Sequence, residues 1–419
     1  MSDLQRSFLK AKLAHLPSLP PEDVMEAPPE VDYDDSSSSA SSASSTGTIK
    51  PLQSKNLFAR PIGFVEKLIS FSEIKNAGAS RNGQLERIPW SSYFSQELYL
   101  QNPSVDGKPA ITHHVYVTPP ASKGPLFVTH HGAGSSGLSF AVLASEIRKL
   151  LPQAGVLSPD ARGHGETVVS TPEDGGSTTL DLSLDMLSND MIDIIRLTQA
   201  KLGWKEIPPL VLVGHSLGGA VVTDVANRGV FGDKVLAYAV LDVVEGSAID
   251  ALQSMQTYLS TRPLGFHTQA SGIEWHIRSR TIRNSTSARI AVPALLRHNP
   301  SPQTPSRTWV WRTDLAKTQP FWEGWFIGLS KKFLESKGGK LLLLAGTDRL
   351  DKELTIGQMQ GKYQLQVFLE AGHFIHEDLP EKTAVTLVDF YKRNDRSALV
   401  LPPKVADLLK SSRERSLGL

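Results

Sequence analysis

The run VLVGHSLGGAVV sets Ser216 at the centre of Gly214-His215-Ser216-Leu217-Gly218, a glycine-x-serine-x-glycine spacing. A serine on a sharp strand-to-helix bend presents its hydroxyl clear of the backbone, and side chains at the flanking glycine positions would collide with neighbouring main chain. An apolar run precedes the motif and a helical run follows it, which is the context this spacing requires. A hydroxyl is a weak nucleophile near neutral pH, so it needs a base within hydrogen-bond reach and a carboxylate to orient and charge-stabilise that base. Downstream, His373 in LEAGHFIHEDLP falls between an apolar run and a final helical pattern and is the best-placed base. His376 in the same loop and His267 farther upstream are the alternatives.

Two aspartates follow apolar runs and qualify as the carboxylate, Asp242 in AVLDVVEG and Asp348 in LLLLAGTDRLD. Both keep the order nucleophile, acid, histidine. Spacing does not choose between them, and the general pattern of serine hydrolases built on parallel sheets favours Asp348. A tetrahedral oxyanion needs backbone N–H donors. His131-Gly132-Ala133-Gly134-Ser135 follows the apolar run LFVTH and offers the N–H of Ala133, while Leu217 beside the nucleophile offers the other. The segment SPDARGHGET, with Asp160, Arg162 and His164, reads as a structural turn with no chemistry of its own. The histidine pair in HFIH lacks both the H-E-x-x-H spacing and a companion ligand run, so no metal is expected, and acyl transfer by serine needs no cofactor.

These groups need a scaffold that delivers several loops to one edge. Short apolar runs at 126–130, 154–158, 210–213, 235–241, 341–345 and 364–369 read as strands. Between them lie a helix over 140–150 and a helical stripe formed by Leu184, Leu187, Met191 and Ile195. Residues 88–119 carry the aromatic and β-branched content of paired strands. The alternation predicts a mostly parallel central sheet with helices on both faces and ligands at the carboxyl ends of its strands. With the serine bend, that is an α/β-hydrolase fold, spanning 88–400.

Between strands the alternation stops over about 246–338, where a helical DALQSMQTYLSTRP leads through a polar, proline-containing run to the tryptophan-rich WVWRTDLAKTQPFWEGWFIGLS. This reads as an inserted helical cap, with an irregular and mobile middle over 283–306. Residues 1–87 form a mostly disordered tail with a serine tract, and 401–419 a short basic one. Lys+Arg 44 against Asp+Glu 43 leaves no global field for nucleic acid or a membrane surface. The absence of cysteine fits an intracellular home, and no apolar run reaches the roughly 18 residues of a membrane span.

The segments IPWSSYF, GHSLGGAVV, VLDVVEGSAIDALQSMQTYLSTRP, WRTDLAKTQPFWEGWFIGLS, LLLLAGTDRLDKELTIGQMQGKYQLQV and GHFIHEDLPEK resemble the protein phosphatase methylesterases over about residues 89–391. The resemblance implies removal of the methyl ester from the carboxyl-terminal leucine of the type 2A protein phosphatase catalytic subunit, which would be both substrate and partner. It implies Ser216 as nucleophile, His373 as base and Asp242, against Asp348, as acid. It also implies a cytoplasmic location that extends to the nucleus. Met255, Tyr258, Trp322 and Trp325 become candidates for gripping the phosphatase tail. One departure is visible: 283–306 is neutral to basic where relatives can carry a long acidic run. The competing readings are a small-molecule esterase or lipase of the same fold and a protein that chiefly binds and inhibits the phosphatase.

Overall fold

The computed structural model describes residues 85–103, 109–121, 123–170, 180–301, 307–346 and 350–395. The expected disordered tail before residue 85, the basic tail after 400 and Asp348 lie outside the described residues. A short 3₁₀ turn at Trp90–Ser92 stands where paired strands were expected to begin, and the strands start at β1 (Gln96–Asn102) and β2 (Ile111–Thr118). Then follow β3 (Leu126–His130), α1 (Ala141–Leu150), β4 (Gly155–Pro159), the short β5 (Val168–Val169), α2 (Leu184–Lys201), β6 (Leu210–His215), α3 (Leu217–Arg228) and β7 (Val235–Leu241). Strand and helix bounds differ from the sequence reading by a residue or two at most ends, the usual fraying of hydrogen-bond-defined boundaries.

Between β7 and the next sheet strand the chain forms α4 (Glu245–Thr261), α5 (Gln269–Arg278), α6 (Ser285–Leu295), the antiparallel pair β8 (Leu296–His298) and β9 (Trp309–Trp311), α7 (Trp322–Phe326) and α8 (Leu329–Glu335). The chain then returns to the sheet with β10 (Gly339–Leu344), α9 (Lys352–Met359) and β11 (Gln364–Val367), and ends in α10 (Ile375–Asp378) and α11 (Pro380–Asn394). The expectation of an irregular, mobile run over 283–306 is corrected here. Residues 285–295 are a helix, capped by the Asn284 side chain accepting from the N–H groups of Thr286 and Ser287, with Ala288, Ile290, Ala291 and Val292 buried. Its first turn is Ser-Thr-Ser and Pro293 lies inside it, so the sequence signal was mixed where burial and the cap are decisive. Only 302–306 of that stretch lies outside the described residues.

The main sheet runs β1-β2-β4-β3-β6-β7-β10-β11, with β5 on β2. β2 pairs antiparallel with β1 and β4, and every pair from β4 to β11 is parallel. β3 and β6 are buried at every residue, as strands covered on both faces must be. One face packs the buried stripe of α2, including Leu187, Met191 and Ile195, against α3 residues such as Val221 and Val225 and strand residues such as Leu212 and Leu342. The other packs α1 and α11 through Leu143, Ile147, Leu387 and Val388. A smaller cluster, Phe266, Ile273, Ile282, Ala288, Val292 and Leu296, holds the cap together. This sheet delivers the residues after β3, β6, β7 and β11 to one edge, because adjacent parallel strands end on the same side.

Candidate active site

Ser216 occupies the bend between β6 and α3 with φ 53° and ψ −121°, a positive φ that a non-glycine residue adopts only under strain. The glycines around it are required by space. A Cβ on Gly214 would stand 2.0 Å from the Gly218 carbonyl oxygen, and one on Gly218 2.0 Å from that of His130. Asp242, the first residue after β7, also has a positive φ of 53°, and its N–H donates to the Leu343 carbonyl at 2.8 Å. Its side chain is buried, with Oδ1 accepting the Ala345 N–H at 2.8 Å and Oδ2 lying 2.8 Å from Nδ1 of His373. Of the two bonds that a serine triad uses, the structure contains this imidazole–carboxylate one, and Ser216 and His373 line the same cavity.

The His373 loop is pinned from beneath. His215 donates its Nε2–H to the His373 carbonyl at 2.8 Å, and the two rings lie 4.6 Å apart. Burial, then the neighbouring His373, lowers His215 to about 3, so it stays neutral. His376, the alternative base, is fully buried, stacks on Phe140 at 4.3 Å and touches His215 at 4.6 Å; burial holds it well below the ordinary imidazole value. His267 is exposed on the cap and does not line the cavity.

The loop carrying Ala133 is held by the turn that the sequence marked as structural. His131 Nε2 accepts the Ala161 N–H at 2.9 Å, and His164 Nε2 accepts the Gly134 N–H at 2.9 Å. Each ring donates its Nδ1–H to a backbone carbonyl, that of Gly132 and that of Arg162. Burial depresses the pKa of both, and the neutral ring is the form whose Nε2 can accept. Asp160 completes the frame by accepting the N–H groups of Gly137 at 2.8 Å and Glu166 at 2.9 Å, and Arg162 forms a buried two-point pair with Asp190. The role of His131, His164 and His215 as braces was missed in the sequence. They act between loops far apart in the chain, which no periodicity reports.

The cavity, about 80 Å³, is lined by Ala133, Ser216 and His373 and by Met255, Tyr258, Trp322 and Trp325 from the cap. The two tryptophans also belong to the sheet-facing core: Trp322 donates to Thr318 Oγ1 at 2.6 Å and Trp325 to the Leu182 carbonyl at 2.7 Å. Among the further lining residues, which the sequence did not single out, two carry charge-bearing groups that bear on the chemistry. Glu377 is buried with no partner for Oε2 among the described residues, and burial, reinforced by Asp378, raises its pKa well above the usual carboxyl value. Arg262 reaches the cavity from the end of α4. Among the described residues no cluster of three or more His, Asp or Glu is arranged to hold a metal ion, and no helix is long and apolar enough to cross a membrane.

The comparisons identify the family and the fold. A family model described as "Alpha/beta hydrolase family" matches residues 126–386. The chain is 63% identical over 412 residues to "Protein phosphatase methylesterase 1" of Aspergillus oryzae, covering 98% of this chain and 94% of that protein. It is 44% identical over 333 residues to the protein of the same name in Yarrowia lipolytica, covering 75% of this chain and 74% of that one. Among solved structures, an E-2-(acetamidomethylene)succinate hydrolase superposes with a TM-score of 0.53 at 18% identity, covering 71% of this chain and 100% of that one. A putative hydrolase from Rickettsia typhi reaches 0.52 at 16% identity, covering 71% and 99%. At such identities the structural likeness speaks for the fold.

Proposed function

This chain belongs to the protein phosphatase methylesterase family of α/β hydrolases, and on that premise we propose that it removes the methyl ester from the carboxyl-terminal leucine of the type 2A protein phosphatase catalytic subunit, with Ser216, His373 and Asp242 as its triad. The observation that carries the proposal is the conjunction of a strained Ser216 and His373 in one cavity, with the far nitrogen of that histidine 2.8 Å from buried Asp242.

Ser216 Oγ attacks the leucine ester carbonyl while His373 takes the hydroxyl proton at Nε2, and Asp242 keeps the proton of Nδ1 in place and stabilises the imidazolium. The tetrahedral oxygen rests on the N–H groups of Ala133 and Leu217. The amides of Gly134 and Ser135 are already bound to His164 and to the Gly132 carbonyl, which leaves that of Ala133 for the substrate. Each such donor is worth about a hundredfold or more in rate. His373 then protonates the methoxy oxygen, methanol leaves, and water repeats the sequence on the acyl-serine to release the free carboxylate. No cofactor enters these steps. Met255, Tyr258, Trp322 and Trp325 form the apolar wall for the terminal residue. Cytoplasm and nucleus, where a phosphatase substrate would be met, are part of the same proposal.

The test is methyl release from purified, methylated phosphatase by wild type and Ser216→Ala side by side. Loss of at least about 10⁴-fold in the folded variant is expected, with phosphatase association retained. Continued methanol release from Ser216→Ala would end the proposal.

A further inference from the structure

The cap places in the catalytic cavity a cation that has no carboxylate partner among the described residues. Arg262 follows the last residue of α4 as its C-cap and lines the cavity with Ser216 and His373. Its guanidinium lies over the Trp311 indole, 3.7 Å from the ring centroid. Trp311 is itself fixed, donating Nε1–H to the Pro263 carbonyl at 2.7 Å and packing edge-on against Phe266 at 5.4 Å. Among the described residues the electrostatic neighbours of Arg262 are Tyr258 and His276, neither of them a carboxylate, whereas Arg162, Arg283 and Arg312 are paired with Asp190, Asp378 and Glu166. Glu377 lines the same cavity, makes no ion pair with Arg262 among the described residues, and has its carboxyl pKa raised by burial and by Asp378.

Stacking on an aromatic face fixes the guanidinium plane and leaves its edge N–H groups for a planar, two-point acceptor. A desolvated charge without such an acceptor is unfavourable, so its natural complement is an anion that arrives with the ligand. We propose that Arg262 receives a carboxylate carried by the carboxyl-terminal segment of the substrate and thereby sets specificity. This rests on the esterase reading of the cavity. The methyl ester is neutral, so the carboxylate is either an acidic side chain a few residues before the esterified terminus or the carboxylate that hydrolysis releases.

Short peptides ending in leucine, as methyl ester or free acid and with Asp or Asn near the terminus, are tested as competitors of phosphatase demethylation by wild type, Arg262→Gln and Arg262→Lys. If the side chain is the source, Asp peptides compete with wild type at least about tenfold better than Asn peptides, the scale of one charge-assisted bond. That ratio falls to near one in Arg262→Gln. If the product is the source, the free acid competes about tenfold better than the ester in wild type only. Arg262→Lys, which keeps the charge without the fork, falls between. Ratios within one variant do not depend on how much of it is active. Equal competition by all peptides in wild type, no competition by any, or a preference that persists in Arg262→Gln overturns the inference. Absence of phosphatase demethylation by wild type would instead sink the esterase reading.

Discussion

Replacing Asp242 with asparagine tests the assignment of the acid, because the contacts around that carboxylate dictate what the amide does. Oδ1 accepts the Ala345 N–H and Oδ2 faces His373 Nδ1, both at 2.8 Å. Asparagine has one acceptor for these two positions. If its oxygen keeps the Ala345 bond, its NH₂ group faces Nδ1, which must then accept, moving the ring proton to Nε2 where it cannot take one from serine. The opposite rotamer sets NH₂ against the Ala345 N–H and leaves that buried donor unmet, at about 1–3 kcal/mol. The protein therefore settles in the tautomer that blocks catalysis, and imidazolium stabilisation is lost as well. The expected fall in kcat is about 10⁴-fold, or about 5.5 kcal/mol of barrier, with KM little changed. Methyl release measured across phosphatase concentrations separates the two constants, with Asp348→Asn in parallel. A variant with more than about a tenth of wild-type kcat, or a larger loss at Asp348, refutes the reasoning.

Gly218→Ala would drive a Cβ to 2.0 Å from the His130 carbonyl oxygen, a backbone atom that cannot rotate away; destabilisation above about 3 kcal/mol is expected in urea unfolding, and an unchanged midpoint would contradict it. Ser216→Gly should be more stable than Ser216→Ala by about 1 kcal/mol or more, since glycine relieves the positive φ, and calorimetric Tm values in the reverse order would deny the strain. Burial lowers His113, His130 and His276 to about 4 and His215 to about 3, while the unfolded rings titrate near the ordinary 6.5. Between those values the unfolded chain binds more protons, so stability falls on acidification from 6.5 and is fully present above it, at about 1.4 kcal/mol per pH unit for each such ring. Glu377, Asp190, Asp378 and His114, all raised, act in the opposite sense but are outnumbered once His131, His164 and His376 are included. Urea midpoints that stay flat or rise as pH drops would contradict the buried neutral set.

The elbow was legible because its glycines answer to backbone contacts within a few residues, and the alternating core strands because each is a continuous buried apolar run. The choice of Asp242 did not follow from spacing. Two apolar runs are followed by aspartate in the sequence, and only pairing of β7 with β10 brings the Ala345 N–H to one oxygen of Asp242 while the loop after β11 brings His373 to the other. The helix at Ser285–Leu295 carried a readable signal, Asn284 before Ser-Thr-Ser, masked by the polar start and by a proline near its end. Met255, Tyr258, Trp322 and Trp325 were drawn from the resemblance, and the tryptophans' double duty in core and cavity shows why residue type alone could not rank them. Arg262 left no trace in sequence, since what marks it is the lack of a carboxylate partner among the described residues and the indole beneath it, both tertiary facts.

The account turns on Ser216 being the atom that attacks. Treating the folded enzyme with a fluorophosphonate, then mapping the adduct by peptide mass spectrometry against residual methyl release, reads that directly. A single adduct on Ser216 that rises as activity falls, and that fails to form in His373→Ala, is the predicted result. Full loss of activity with Ser216 unmodified, or full activity with it modified, would contradict the account.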